Sequence, residues 1–154
     1  MRTWVPPATG RARFSALLAG LYDQQPQDRF PRYQEVARHL LRLLSRRSLV
    51  VWVTDLHDLD QGKELLTALT VLRRRHLSLV VALDDPGVRD LAATEPTDAS
   101  SLYLRTGAAE VLEERRVLLR RLRAAGAQIV DQPAERLGAE LVDRYLDIKL
   151  RGQL

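Results

Sequence analysis

Cysteine is absent from this sequence of 154 residues. That absence excludes disulfide bonds, zinc sites built on thiolates and cysteine nucleophiles. No apolar run approaches the length of about 20 residues that a membrane-spanning helix needs, and the first residues lack the apolar core of a signal peptide. We therefore expect a cytoplasmic protein without a membrane segment.

Familiar catalytic motifs are also missing. The sequence has no glycine-rich phosphate loop, no Ser-His-Asp order and no metal-binding histidine pair. His39 and His76 fall in or at the end of predicted helices, with no partner motif. The sequence therefore predicts no catalytic residues.

Lysine is nearly absent. Of the 24 basic residues, only Lys63 and Lys149 are lysines, and all the others are arginines. The net charge of +4 and the isoelectric point near 9.9 could suit a nucleic-acid binder. However, the arginines are spread along helix-patterned segments, often near Asp or Glu, which is typical of solvated helix faces. We expect no nucleic-acid partner, and keep an arginine-rich nucleic-acid binder as an alternative.

Three apolar runs alternate with helical patterns in the second half of the chain. The runs predict strands over residues 48–54, 77–83 and 127–130, the first of them buried on both faces. This alternation predicts a parallel sheet with helices on both faces. Each run ends at aspartate, and ligands of such sheets bind beyond the carboxyl ends of the strands. The carboxylates concerned are Asp55, Asp84 or Asp85, and Asp131.

Apolar periodicity predicts helices between and around these strands. We assign them to residues 11–22, 33–47, 61–75, 86–93, 102–125 and 134–150, with a possible break near Gly107. A length of 154 residues suits one domain. Three strands are few for such a sheet, so residues 1–154 are predicted to form a single, N-terminally incomplete domain. One sheet edge would be uncovered, and a second copy of the chain could pair with it.

Four stretches of the sequence resemble a known family. They are RRSLVVWVTDL (46–56), RRRHLSLVVALDDP (73–86), LEERRVLLRRLRAAGAQIVDQP (112–133) and LVDRYLDIKLRG (141–152). From about residue 10 to the C-terminus the chain resembles the C-terminal half of a bacterial and archaeal family of unknown function with a von Willebrand factor A-like domain. Members are typically encoded beside MoxR-type AAA+ ATPases. The resemblance implies a partial Rossmann-like, von Willebrand factor A-like three-layer sandwich with a mostly parallel sheet.

The resemblance also implies a metal-ion-dependent adhesion site built from three loops. The pair Thr54-Asp55 matches the third loop, so Asp55 is the candidate metal ligand. The second loop falls at residues 30–32, Phe-Pro-Arg, which are poor ligands for Mg²⁺. The first loop, Asp-x-Ser-x-Ser, is absent. The resemblance therefore implies a degenerate site, with Mg²⁺ possible in an intact parent domain and no cofactor in this chain.

Structural roles compete with chemical ones for the acidic residues. Asp55 alone holds Mg²⁺ poorly, and a hydrogen bond within its loop or a cap on the following helix is favoured. The cluster Asp55, His57, Asp58 and Asp60 is predicted to be a polar strand-to-helix turn. Asp84 and Asp85 are predicted helix caps, Asp131 a structural residue, and residues 112–125 a core-packed helix with a basic outer face.

These observations predict a non-enzymatic protein-interaction module. The resemblance implies that it works as partner or adaptor of a MoxR-type AAA+ ATPase, in the maturation or remodelling of a protein complex. The alternatives are an Mg²⁺-dependent hydrolase or phosphatase that uses Asp55, and the arginine-rich nucleic-acid binder.

Overall fold

A computed structural model describes residue 5 and residues 10–22, 30–56 and 59–154. It divides the chain into two compact units, residues 1–31 and 32–154. In the first unit, α1 spans Arg11–Tyr22, as the sequence predicts. The apolar side chains of Phe14 and Leu21 on α1 are 60% and 61% exposed.

The second unit alternates helices and strands in the order that the apolar runs predict. Its elements are α2 (Tyr33–Leu43), β1 (Leu49–Thr54), α3 (Leu59–Leu72), β2 (Leu77–Leu83), α4 (Pro86–Ala93), α5 (Ala99–Ala124), β3 (Gln128–Gln132) and α6 (Ala134–Leu150).

The three strands lie side by side in the order β1-β2-β3, and both pairings are parallel. Leu49 pairs with Leu77 at the start of β1, and Leu83 pairs with Gln132 at the end of β3. The carboxyl ends of all three strands therefore meet at one edge of the sheet, as the sequence predicts. We call this edge the carboxyl-end rim.

Helices cover both faces of the sheet, so the second unit is a three-layer α/β sandwich of partial Rossmann-like architecture. On one face, residues of α2, α3 and α5 pack against Trp52 of β1 and Val80 of β2. On the other face, Leu137 and Leu141 of α6 pack against Leu79, Val81 and Val130. The predicted fold class is confirmed.

The prediction that β1 is buried on both faces is wrong. Val51 and Val53 are 42% and 62% exposed, whereas every residue within β2 from 78 to 82 is buried. Val51 pairs with Leu79 and Val53 with Val81, so these valines share the sheet face that α6 covers on β2 and β3. A helix is about 10 Å wide and strands are about 4.8 Å apart, so one helix covers roughly two strands. On this face, Leu49 at the start of β1 is partly buried against the α6-side cluster, whereas Val51 and Val53 are left uncovered.

Several element boundaries differ from the predicted ones. Helix α2 ends at Leu43 and not at residue 47, because the backbone of Leu44 is extended. Helix α5 begins at Ala99, where Asp98 and Ser101 form a capping box, and it passes Gly107 without a break. Strand β3 continues through Asp131 to Gln132, so Asp131 lies inside the strand that it was predicted to end.

Two large apolar residues of α2 and α6 are exposed. Leu43 is 44% exposed and Tyr145 is 41% exposed. In α2 the inward positions near the sheet are held by Tyr33 and Ala37 instead. Helix α5 behaves as predicted at Leu118, Leu119 and Leu122, which are buried.

Helices α3 and α5 approach closely where α3 carries a glycine. A Cβ atom at Gly62 would overlap the Cδ methyl groups of Leu118, which is itself 3% exposed. A side chain at position 62 would therefore force the buried Leu118 side chain to move.

Candidate functional site at the carboxyl-end rim

The end of β1 is anchored by a buried hydroxyl pair. The Thr54 hydroxyl lies 2.7 Å from the Tyr33 hydroxyl, and either group can donate. The Tyr33 ring also packs edge-on against Trp52, with ring centroids 5.8 Å apart. Burial raises the pKa of the Tyr33 phenol, the hydrogen bond to Thr54 lowers it, and the charges of Asp55 and Glu64 raise it further. Thr54 therefore serves to fix the first residue of α2 against β1.

Asp55, the predicted metal ligand, follows Thr54 and is exposed. Its neighbours in the predicted polar turn, His57 and Asp58, lie outside the described residues. Asp60 lies in the first turn of α3, which begins at Leu59, two residues before the predicted start. Its carboxylate accepts a hydrogen bond of 2.7 Å from Lys63, and this bond holds the pKa of Asp60 below its ordinary value.

The two aspartates after β2 have different roles. Asp85 is the N-cap of α4, where its Oδ1 accepts a hydrogen bond of 2.9 Å from the backbone N–H of Gly87. This confirms the predicted cap. Asp84, by contrast, is not a cap. Its buried side chain forms an ion pair with Arg89, one turn into α4.

The ends of β2 and β3 are joined by a buried arginine. Arg115 of α5 is 8% exposed and donates to Asp131 Oδ1 at 2.8 Å. The same guanidinium nitrogen donates to the backbone carbonyls of Leu83, at 3.1 Å, and Ala82, at 3.4 Å. Asp131 thus has the structural role that the sequence predicts.

Arg115 is not among the predicted site residues, although its position in the sequence indicates that it is buried. Arg115 lies three, four and seven residues before Leu118, Leu119 and Leu122, so it belongs to the inward stripe of α5. A charged residue on an apolar stripe needs a buried partner. Here, Asp131 is that partner.

A cavity of about 270 Å³ opens between α4, α5 and the end of β3. Asp84 and Asp131 line it, and each is paired with an arginine of the same cavity, Arg89 and Arg115 respectively. Each carboxylate is held by a neighbouring cation, so the arrangement is that of a structural ion-pair network.

The described residues of the rim do not form an intact three-loop metal site. In residues 30–56 and 59–154, no three His, Asp or Glu side chains lie together so as to hold a metal ion. At the position of the second loop, Arg32 pairs with Glu35 at 3.1 Å. Mg²⁺ requires several oxygen ligands in octahedral geometry. Asp55 contributes one, which does not fit a site within this part of the chain.

The fold and the rim together define the class of the protein: an α/β protein of partial Rossmann-like architecture, whose rim carboxylates at β2 and β3 are tied into ion pairs. Within that class, the chain belongs to the family described as "Protein of unknown function DUF58", which matches residues 1–125. The predicted membership in a family of unknown function is therefore confirmed. The match includes β1, β2 and Arg115, and stops before β3 and α6.

No curated protein and no solved structure matches the chain. None of the helices in the described residues is long and apolar enough to cross a membrane.

Proposed function

We propose that this chain is a non-enzymatic protein-interaction module, and that a partner protein binds the uncovered side of β1. The observation that carries this proposal is the exposure of Val51 and Val53, at 42% and 62%, within a strand of the central sheet. β-Branched side chains in such a strand are normally packed against a neighbouring layer. A partner that covers these valines would extend over β1 the layer that α6 forms over β2 and β3.

The position of β1 supports the same surface. In the described part of the chain β1 pairs with β2 alone, so its other side presents backbone N–H and C=O groups that no strand in that part of the chain satisfies. An exposed strand edge is a template for pairing with a strand of another protein. An apolar face and an open edge at one strand suit a partner that supplies an apolar element, a strand, or both.

Helix α6, which covers the same sheet face on β2 and β3, also carries exposed apolar side chains. Val142, Tyr145 and Leu146 are 56%, 41% and 47% exposed. They are spaced by three and four residues on α6, so they are neighbours on the helix surface. The family resemblance supports a MoxR-type AAA+ ATPase as the partner, in the maturation or remodelling of a protein complex in the cytoplasm.

The family resemblance also supports a von Willebrand factor A-like parent domain with a degenerate metal-ion-dependent adhesion site. In that proposal, Asp55 at the end of β1 supplies one oxygen ligand to Mg²⁺, and other groups must complete the coordination sphere. Asp55 follows the strand that carries Val51 and Val53. A partner bound along β1 would therefore also reach the position where such a ligand set is completed.

The test is a binding titration of the full chain against the MoxR-type ATPase encoded in the same genome. Val53→Lys places a charge on the proposed surface, and it should weaken binding by about tenfold or more if Val53 is desolvated in the complex. Val71→Lys is the matched control, because Val71 is an exposed valine of α3 at 39%. Equal weakening by both substitutions, or no binding of the wild-type chain, would overturn this assignment.

Two further measurements separate the alternatives. Sedimentation of the chain alone shows whether a second copy occupies the β1 edge, because Val53→Lys would then dissociate the homo-oligomer. Hydrolysis of a generic phosphoester with Mg²⁺, lost in Asp55→Ala, would replace the interaction module with the hydrolase alternative.

A further inference from the structure

A second cavity, of about 350 Å³, lies at the opposite end of the sheet from the rim. Its walls come from Arg47, two residues before β1, from the turn between α3 and β2, and from residues 125–127 before β3. We call it the amino-end cavity, because all three of these segments lead into strands. The polar side chains that line it are Arg47, Arg73, Arg74, His76 and Ser78.

The imidazole of His76 is buried at this cavity and has no hydrogen-bond partner among the described residues. It is 2% exposed, and neither Nδ1 nor Nε2 has a partner. The hydroxyl of Ser78, two residues later, is equally without a partner, and Ser78 is 5% exposed. Buried polar groups are nearly always paired, so three unpaired atoms at one cavity wall call for a polar partner that the described residues do not supply.

The charge of the cavity is entirely positive. Arg47, Arg73 and Arg74 line it, no acidic residue does, and none of these arginines forms a salt bridge within the described part of the chain. Arg47 is held in place because its Nε donates to the Gln153 carbonyl at 2.7 Å. That bond leaves the other guanidinium nitrogens of Arg47 for a ligand.

Helix-end electrostatics explain only part of this arrangement. Helix α3 ends at Leu72, and Arg73 and Arg74 are favourably placed at its negative end. The helix dipole does not explain why His76 and Ser78 keep unpaired polar atoms in the same buried wall. An anion bound in the cavity would contact the arginines and would also pair with the polar atoms of His76 and Ser78. It therefore explains both the cluster of arginines and the unpaired atoms.

We propose that the amino-end cavity binds the phosphate group of a small molecule. Arg73 and Arg74 would neutralise the phosphate charge, Ser78 would donate its hydroxyl hydrogen to a phosphate oxygen, and His76 would donate an N–H. The cavity is larger than one phosphate ion, so it has room for an attached group. Neither Val51 nor Val53 lines this cavity, so the proposal does not depend on the proposed interaction surface.

Binding of inorganic phosphate to the full chain, followed by calorimetry, tests this proposal. The double variant Arg73→Ala/Arg74→Ala removes two exposed cations, and we expect its affinity to fall by about tenfold or more. The matched control Arg42→Ala/Arg136→Ala removes two exposed arginines elsewhere and leaves the same net charge. It should change the affinity by less than about twofold.

The source of the phosphate group is distinguished by the ligand. Tighter binding of AMP than of inorganic phosphate, with the same loss in the double variant, indicates a nucleotide. Equal binding indicates the free anion. Equal loss in both double variants would show general charge attraction and overturn the proposal, as would no binding of phosphate, pyrophosphate or AMP.

His76 supplies a readout that charge attraction alone would not move. Burial, together with the charges of Arg75 and Arg47, lowers the pKa of the His76 imidazole. Arg73 and Arg74 line the same cavity and add positive charge, and residues 125–127 carry none. A bound phosphate favours the imidazolium, so it should raise the pKa of His76 in an NMR titration. The signal is assigned with His76→Gln, and an unchanged His76 titration at saturating phosphate would place the ligand elsewhere.

Discussion

The two ends of the sheet both collect charged side chains, but they treat them in opposite ways. At the carboxyl-end rim, Asp84 and Asp131 are paired with Arg89 and Arg115. At the amino-end cavity, within the described part of the chain, the arginines lack acidic partners and the His76 ring nitrogens lack hydrogen bonds. Strand topology predicts a ligand site at the rim, whereas the unpaired groups indicate a ligand site at the amino-end cavity.

This difference has a consequence for stability. Removing one partner of a rim pair is destabilising, because it leaves the other charged group without a partner in a buried position. An unpaired polar group at the amino-end cavity costs free energy of folding, and such groups are typical of sites shaped for binding. Substitutions at the two ends should therefore change the free energy of unfolding with opposite signs.

The largest effect is expected for Arg115→Leu at the rim. Leucine keeps much of the volume but leaves the Asp131 carboxylate and the Leu83 carbonyl without their donor. We expect a loss of about 2–3 kcal/mol in the free energy of unfolding, at the lower end for a buried ion pair because Asp131 is partly exposed. Urea unfolding measures this loss.

Arg116→Leu is the matched control, because Arg116 is the next residue of α5 and its side chain is 69% exposed. Its salt bridge to Glu113 spans 3.5 Å on the surface, so the change should be within about 0.5 kcal/mol. If the two leucine variants proved equally stable, the rim network would not be structural.

The second effect has the opposite sign. His76→Leu replaces two unpaired buried nitrogens by an apolar side chain of similar size. We expect the free energy of unfolding to rise by about 0.5–1.5 kcal/mol, because no hydrogen bond is lost. Ser78→Ala should also raise it, by a smaller amount. A clear loss of stability in His76→Leu would mean that the imidazole has a structural partner, and the contrast between the two ends would fail.

Much of the fold was predictable from the sequence, for reasons that particular residues show. The apolar runs of β1, β2 and β3 end at polar residues, so the strands could be located in the sequence. Their alternation with helical patterns predicted a parallel sheet, and with it the carboxyl-end rim. Asp85 could be identified as a cap because Pro86 follows it, and the structure confirms this.

The misses have a common physical origin, which is that burial depends on elements distant in sequence. The apolar run 49–53 does not show that α6 stops short of β1, so the exposure of Val51 and Val53 could not be predicted. His76 follows three arginines and suggests an exposed helix end, yet the packing of residues 125–127 and α3 buries it. Arg115 was the exception, because its place on the apolar stripe of α5 was visible in the sequence.

The smallest effect is a pH dependence that isolates His76. Its pKa in the folded chain is lowered, chiefly by burial and then by the charges of Arg75 and Arg47, whereas in the unfolded chain it keeps an ordinary value of about 6.5. Below that value the unfolded chain binds a proton that the folded chain does not, so the free energy of unfolding falls as the pH falls.

A leucine at position 76 binds no proton, so this pH dependence is absent from His76→Leu. The stability advantage of His76→Leu over the wild type should therefore be larger at about pH 5.5 than at about pH 7.5. Other titrating groups are common to both proteins and cancel in the difference, which urea unfolding at the two pH values measures. If the stability difference between His76→Leu and the wild type were the same at both pH values, the pKa of His76 would be the same in the folded and unfolded chains.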